Sequence, residues 1–129
     1  MNNILEYFEK VQNIVEALSK VEIERYDEEI FSEGRGNIKF RIRFHDNSLL
    51  EVSEAIYFDS EKFLWLSYRY HYQKPDGSVI FRYDNTPHYP QVDTYPDHKH
   101  VGSSVVGSLR PDIENVFSEI NEHLEPSRK

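Results

Sequence analysis

The stretch Phe63-Leu-Trp-Leu-Ser-Tyr-Arg-Tyr-His-Tyr-Gln-Lys-Pro-Asp-Gly-Ser-Val-Ile-Phe-Arg-Tyr-Asp84 reads as a β-hairpin. Both arms are rich in aromatic and β-branched residues, which favour a pleated, half-buried surface. Between them, Pro75-Asp-Gly77 sets proline and glycine where a tight turn needs a fixed φ and a left-handed residue. Side chains alternate across a strand, so Tyr68, Tyr70 and Tyr72 are expected on one face and Trp65, Ser67, Arg69 and His71 on the other.

Upstream, Ile38-Lys-Phe-Arg-Ile-Arg-Phe44 alternates strictly, Leu49–Phe58 alternates through Leu50, Val52 and Ile56, and Val21–Phe31 is a further β-rich run. His45-Asp-Asn-Ser48 and Gly34-Arg-Gly36 are the intervening turns. Ile4, Leu5, Phe8, Val11, Ile14, Val15 and Leu18 recur at helical spacing and predict an amphipathic helix over about residues 3–20. Downstream, Pro111 begins a second helix carrying Ile113, Val116, Phe117, Ile120 and Leu124, with Ser108 or Arg110 before it. The expected fold is α+β: an antiparallel sheet of four to five strands with the N- and C-terminal helices packed on one face. The opposite face is then left to basic and aromatic side chains.

The 129 residues are expected to form a single domain, long enough to bury roughly two-thirds of the unfolded surface. The absence of cysteine excludes disulfides and thiolate metal sites. Neither a signal peptide nor a membrane span is legible, and a soluble, cytoplasmic protein is expected. The net charge of −8 argues against a general nucleic-acid coat. Charge is uneven, however: residues 62–110 carry a net +2, against −7 before them and −3 after. An anion is expected to bind in that middle segment, which also holds His71, His88, His98 and His100.

Residues 82–100 concentrate the chemistry. Arg82-Tyr-Asp-Asn-Thr-Pro-His-Tyr-Pro90 and Tyr95-Pro-Asp-His-Lys-His100 bring three histidines and three prolines together with neither a helical nor a strand period. An ordered loop is expected, with imidazoles held for proton transfer, phosphate binding or metal ligation. His98-Lys-His100 has the spacing that presents two imidazoles on one side of an extended strand, and His88 or Asp84 would complete a three-ligand set. Acid–base work needs less: Asp84, His88, His98, Lys99 and His100 suffice, so neither metal nor cofactor is expected. The competing structural reading has Asp84 and Asn85 capping a turn and the histidines bonded to carbonyls. The tyrosines could stack RNA bases, but alternating tyrosines are more often simply β-formers.

Tyr70-His-Tyr72 with Pro75-Asp-Gly77, the two segments of residues 82–100, and Glu51-Val-Ser-Glu54 upstream together resemble the TumE-like proteins, small toxin components of toxin–antitoxin pairs. The likeness runs in order over residues 38 to 120. Asp97-His98 stands where the family commonly has adjacent histidines, and Tyr89 where a second histidine is frequent. The resemblance implies a toxin and an antitoxin partner. One expected function is a metal-independent ribonuclease in which His71 or His88 takes a proton from a 2′-hydroxyl and His98 or His100 protonates the leaving oxygen. Asp84 would orient a histidine, and Arg69, Arg82, Asn85 and Lys99 would bind substrate. The alternative is a binding module that grips a partner protein or nucleic acid through the same loop without turnover.

Overall fold

A computed structural model describes residues 3–126. Helix α1 (Ile4–Glu16) is followed by β1 (Val21–Ser32), β2 (Arg35–Phe44), β3 (Leu49–Phe58), β4 (Phe63–Gln73), β5 (Val79–Asp84), β6 (His98–Val101) and β7 (Ser104–Gly107), and α2 (Ile113–His123) is the last element among the described residues. The strands form one antiparallel meander in chain order. The architecture is the expected α+β one, but the sheet has seven strands rather than four to five. The additional β6 and β7 have only four residues each and no apolar alternation, and so lack the signal by which a strand is read.

Asn3 caps α1 by accepting the Glu6 amide at 2.8 Å. The helix buries Ile4, Phe8, Val11 and Val15 but leaves Leu5 exposed. It ends earlier than its apolar period suggests, because the chain reverses into β1 through Lys20 at φ 59°. The cap of α2 is Asp112, whose carboxylate takes the Asn115 amide at 2.9 Å, and not Ser108 or Arg110. Pro111 therefore precedes the cap.

Both helices contribute to one buried cluster with a single face of the sheet: Ile38, Phe40 and Ile42 of β2, Leu50, Val52 and Ile56 of β3, Tyr70 and Tyr72 of β4, and Phe81 and Tyr83 of β5. The alternating tyrosines are thus core residues. Trp65 lies with them, not beside Arg69 and His71, because pairing passes from Ala55↔Ser67 to Ile56↔Trp65 and leaves Leu66 as a bulge. One extra residue inverts the alternation beyond it.

The other face carries the polar side chains. On its β1–β3 half, Glu24, the extra residue of a bulge in β1, receives Arg41 Nε at 2.8 Å and Arg43 Nε at 3.1 Å, so that region neutralises itself. Its β4–β6 half is different.

A histidine–carboxylate site on the open face of the sheet

Strand register creates two parallel rows on the outer face. One runs Glu51, His71, Arg82, His100 across β3 to β6, and the other Ser53, Arg69, Asp84, His98. Residues 11 to 20 positions apart become lateral neighbours because a meander sets consecutive strands side by side.

Asp84 and His98 are buried, at 5% and 1% exposure. His98 Nε2 stands 3.0 Å from Asp84 Oδ1, and His98 Nδ1 lies 2.9 Å from the Pro96 carbonyl oxygen. Asp84 Oδ1 also accepts the Thr86 amide at 3.0 Å, so the carboxylate both caps the turn after β5 and faces the imidazole. Its other oxygen is 3.7 Å from His100 Nε2. Tyr89 packs edge-on against both rings, with centroids 4.9 Å from His98 and 5.5 Å from His100.

The segment between β5 and β6 is pinned at several points. Asn85 Oδ1 accepts the Tyr68 amide at 3.1 Å and its Nδ2 donates to the Leu66 carbonyl at 3.3 Å, tying the segment to the bulge in β4. Tyr68 Oη donates to Asp97 at 2.8 Å, and Thr94 Oγ1 to the Asp97 carbonyl at 2.6 Å. The Tyr95–Pro96 peptide is cis.

His71, half-buried on β4, contacts Gln73 Oε1 at 2.9 Å through Nε2. Burial, reinforced by Arg82 and Arg69, lowers its pKa below the ordinary imidazole value, against the opposing pull of Gln73 and Glu51. Burial likewise lowers His100, with Asp84 opposing and His98 and Arg82 adding to the effect. Arg82 Nε is buried without a hydrogen-bond partner among the described residues.

The structure thus unites His71, Arg69, Arg82, Asp84, His98 and His100 on one surface. It leaves others outside. Lys99 points to the helix side, where Nζ meets Glu119 at 2.7 Å and lies over the Tyr83 ring at 4.8 Å. Asn85 is engaged with backbone, and His88 is exposed on the segment next to Tyr89. His98 and His100 belong to β6, although the expectation was a loop.

A second polar cluster was not anticipated from sequence. Glu54, 1% exposed, accepts Tyr7 Oη at 2.7 Å, Trp65 Nε1 at 3.0 Å and Tyr70 Oη, while Arg110 Nη1 lies 3.8 Å away and donates to Tyr70 Oη at 3.0 Å. Arg110 also stacks on Trp65 at 3.5 Å from the ring centroid. Burial raises the Glu54 carboxyl, and the Tyr70, Tyr7, Arg110 and Trp65 contacts pull it down. The available signal was an acid at a core-facing position of an apolar alternation: Leu50, Val52, Glu54, Ile56.

Fold and site together define a small α+β protein with a histidine–carboxylate cluster on the open face of an antiparallel meander. Residues 10–125 match the family model described as Toxin TumE, and the chain belongs to that family. It is the toxin component of a toxin–antitoxin system, with an antitoxin as its partner. No curated protein and no solved structure matches it. No helix among the described residues is long and apolar enough to cross a membrane.

Proposed function

We propose that this toxin acts on RNA by cutting a phosphodiester bond on the outer face of β4–β6. The observation that carries the reading is the row His71, Arg82, His100 on three adjacent strands, beside the buried Asp84–His98 pair. A guanidinium between two imidazoles suits a phosphodiester, whose cleavage needs a base on one side and charge neutralisation on the other. His71, kept neutral by burial, accepts the proton of the 2′-hydroxyl. The freed 2′-oxygen bonds to phosphorus, and the bond to the 5′-oxygen breaks. Arg82 and Arg69 meet the phosphate charge. The leaving 5′-oxygen lies on the His100 side of Arg82, where it takes up a proton from solvent.

Purified protein incubated with RNA is expected to leave 2′,3′-cyclic phosphate ends. Intact RNA in cells that have stopped growing would overturn the reading. RNA bound through this face without turnover would instead make the toxin a binding module. In Arg82→Ala, RNA affinity is expected to weaken by about 1.5–3 kcal/mol, the scale of a charge-assisted hydrogen bond. Unchanged affinity in a fluorescence-polarisation titration would remove Arg82 from the phosphate site.

The reaction also has a defined pH dependence. His71 is flanked by Gln73 and Arg69 on its own strand, Glu51 on β3 and Arg82 on β5, and the net effect favours its neutral form. Activity is therefore expected to persist through neutral pH and to fall on acidification only below the usual imidazole value of about 6.5. An acid limb of kcat/KM at or above that value would exclude His71 as the base.

A further inference from the structure

We propose that Asp84, His98 and His100 form a binding site for one divalent transition-metal ion, with Zn²⁺ the best match to the donors. The argument begins at His98. A carbonyl oxygen only accepts, so the 2.9 Å contact with Pro96 fixes the ring proton on Nδ1. With that proton alone on the ring, Nε2 turns a lone pair toward the Asp84 carboxylate at 3.0 Å. Two lone pairs at that distance need a cation between them, either a second ring proton or a metal ion. A second ring proton would satisfy the pair alone, but it would not account for the third donor. His100 Nε2 converges on the other Asp84 oxygen, and one donor atom from each residue lies within 4.8 Å of the rest.

Distances and donor chemistry agree with a metal. Donors about 2.0–2.1 Å from a tetrahedral ion stand about 3.3–3.4 Å apart. The separations of 3.0 Å from Asp84 Oδ1 to His98 and 3.7 Å from Asp84 Oδ2 to His100 lie on either side of that figure, and one donor from each residue falls within 4.8 Å of the others. An imidazole anchored through Nδ1–H to a carbonyl, and a carboxylate held by a backbone amide, are the outer contacts that aim metal ligands. Two imidazoles and one carboxylate suit a borderline cation and leave a coordination position open. Tyr89 walls one side, while the partly exposed His100 leaves an approach next to Arg82.

The site stands on geometry alone, but its role rests on the ribonuclease reading: a cation here would meet the charge of the leaving oxygen. This departs from the metal-free chemistry expected from the sequence.

The full-length protein, stripped with chelator, is titrated calorimetrically with Zn²⁺ and spectroscopically with Co²⁺, whose visible absorption reports tetrahedral N/O coordination. One ion per chain is expected. Asp84→Asn and His100→Ala should each weaken binding by about 100-fold or more with unchanged circular dichroism. His98 is buried, so if His98→Ala does not fold, the solvent-side His100→Ala decides. Substoichiometric binding, or the same affinity in His100→Ala, overturns the site. Metal bound while RNA stays intact upholds the site and sinks the ribonuclease reading. RNA cut by chelated protein that binds no metal does the reverse.

Discussion

Glu54→Ala is expected to lower the free energy of unfolding by about 3–5 kcal/mol, the cost of breaking a buried charged pair by removing one partner. Glu54 is the common acceptor for α1, through Tyr7, for β4, through Trp65 and Tyr70, and it faces Arg110 just before α2. Its loss leaves two hydroxyls, an indole N–H and a guanidinium facing a void. Burial, the largest cause that raises the Tyr7 and Tyr70 hydroxyls above the usual phenol range, remains when the carboxylate is removed and works against their ionising in its place. A small domain has about 5–15 kcal/mol in hand, so the variant should lose a large share of its stability. Urea unfolding measures this directly. A midpoint within error of the parent would mean that the network contributes nothing net. Tyr7→Phe, which removes one donor from a carboxylate that keeps others, should cost far less, about 1–2 kcal/mol.

The second large effect is functional. Asp84→Asn is expected to abolish growth arrest and reduce RNA cleavage by about 100-fold or more while leaving the fold in place. The separation follows from the two duties of one carboxylate. An amide oxygen can still accept the Thr86 N–H, so the turn after β5 survives. What asparagine cannot supply is negative charge on both sides, toward His98 at 3.0 Å and His100 at 3.7 Å. The same loss is expected whether that charge positions an imidazole or holds a metal ion, and the metal titration distinguishes the two. Full toxicity in a folded Asp84→Asn protein would reduce Asp84 to a turn cap. His98→Ala is a poorer test, because removing a ring that is 1% exposed also opens a cavity beside a buried carboxylate.

The long β runs and both helices were legible because each carries an apolar period matched to its geometry and ends at turn residues. The hairpin of β4 and β5 shows this most directly, with Gly77 at φ 91° and the Gly77 amide 2.9 Å from the Lys74 carbonyl. The errors have equally local causes. Leu66 adds one residue to β4 and carries Trp65 to the core side, a shift that no alternation reveals in advance. Asp112 rather than Ser108 or Arg110 caps α2, because several polar residues near Pro111 compete and only backbone geometry selects among them. β6 and β7 were hidden because they are short and lack an apolar alternation.

By itself, the sequence determined the α+β class, an antiparallel sheet with β1–β3 as neighbours and β4–β5 as a hairpin, the concentration of histidine between residues 82 and 100, and the likeness to a toxin family. These depend on local propensity, period and motif, which act between residues close along the chain. Only the tertiary structure decided which of those side chains meet. Lys99 and His100 are adjacent in sequence, yet the pleat of β6 sends one to Glu119 beneath the helices and the other to Asp84 on the open face. Cross-strand register, not sequence proximity, joins His71, Arg82 and His100 into one row, and burial sets the charge that His71 carries there.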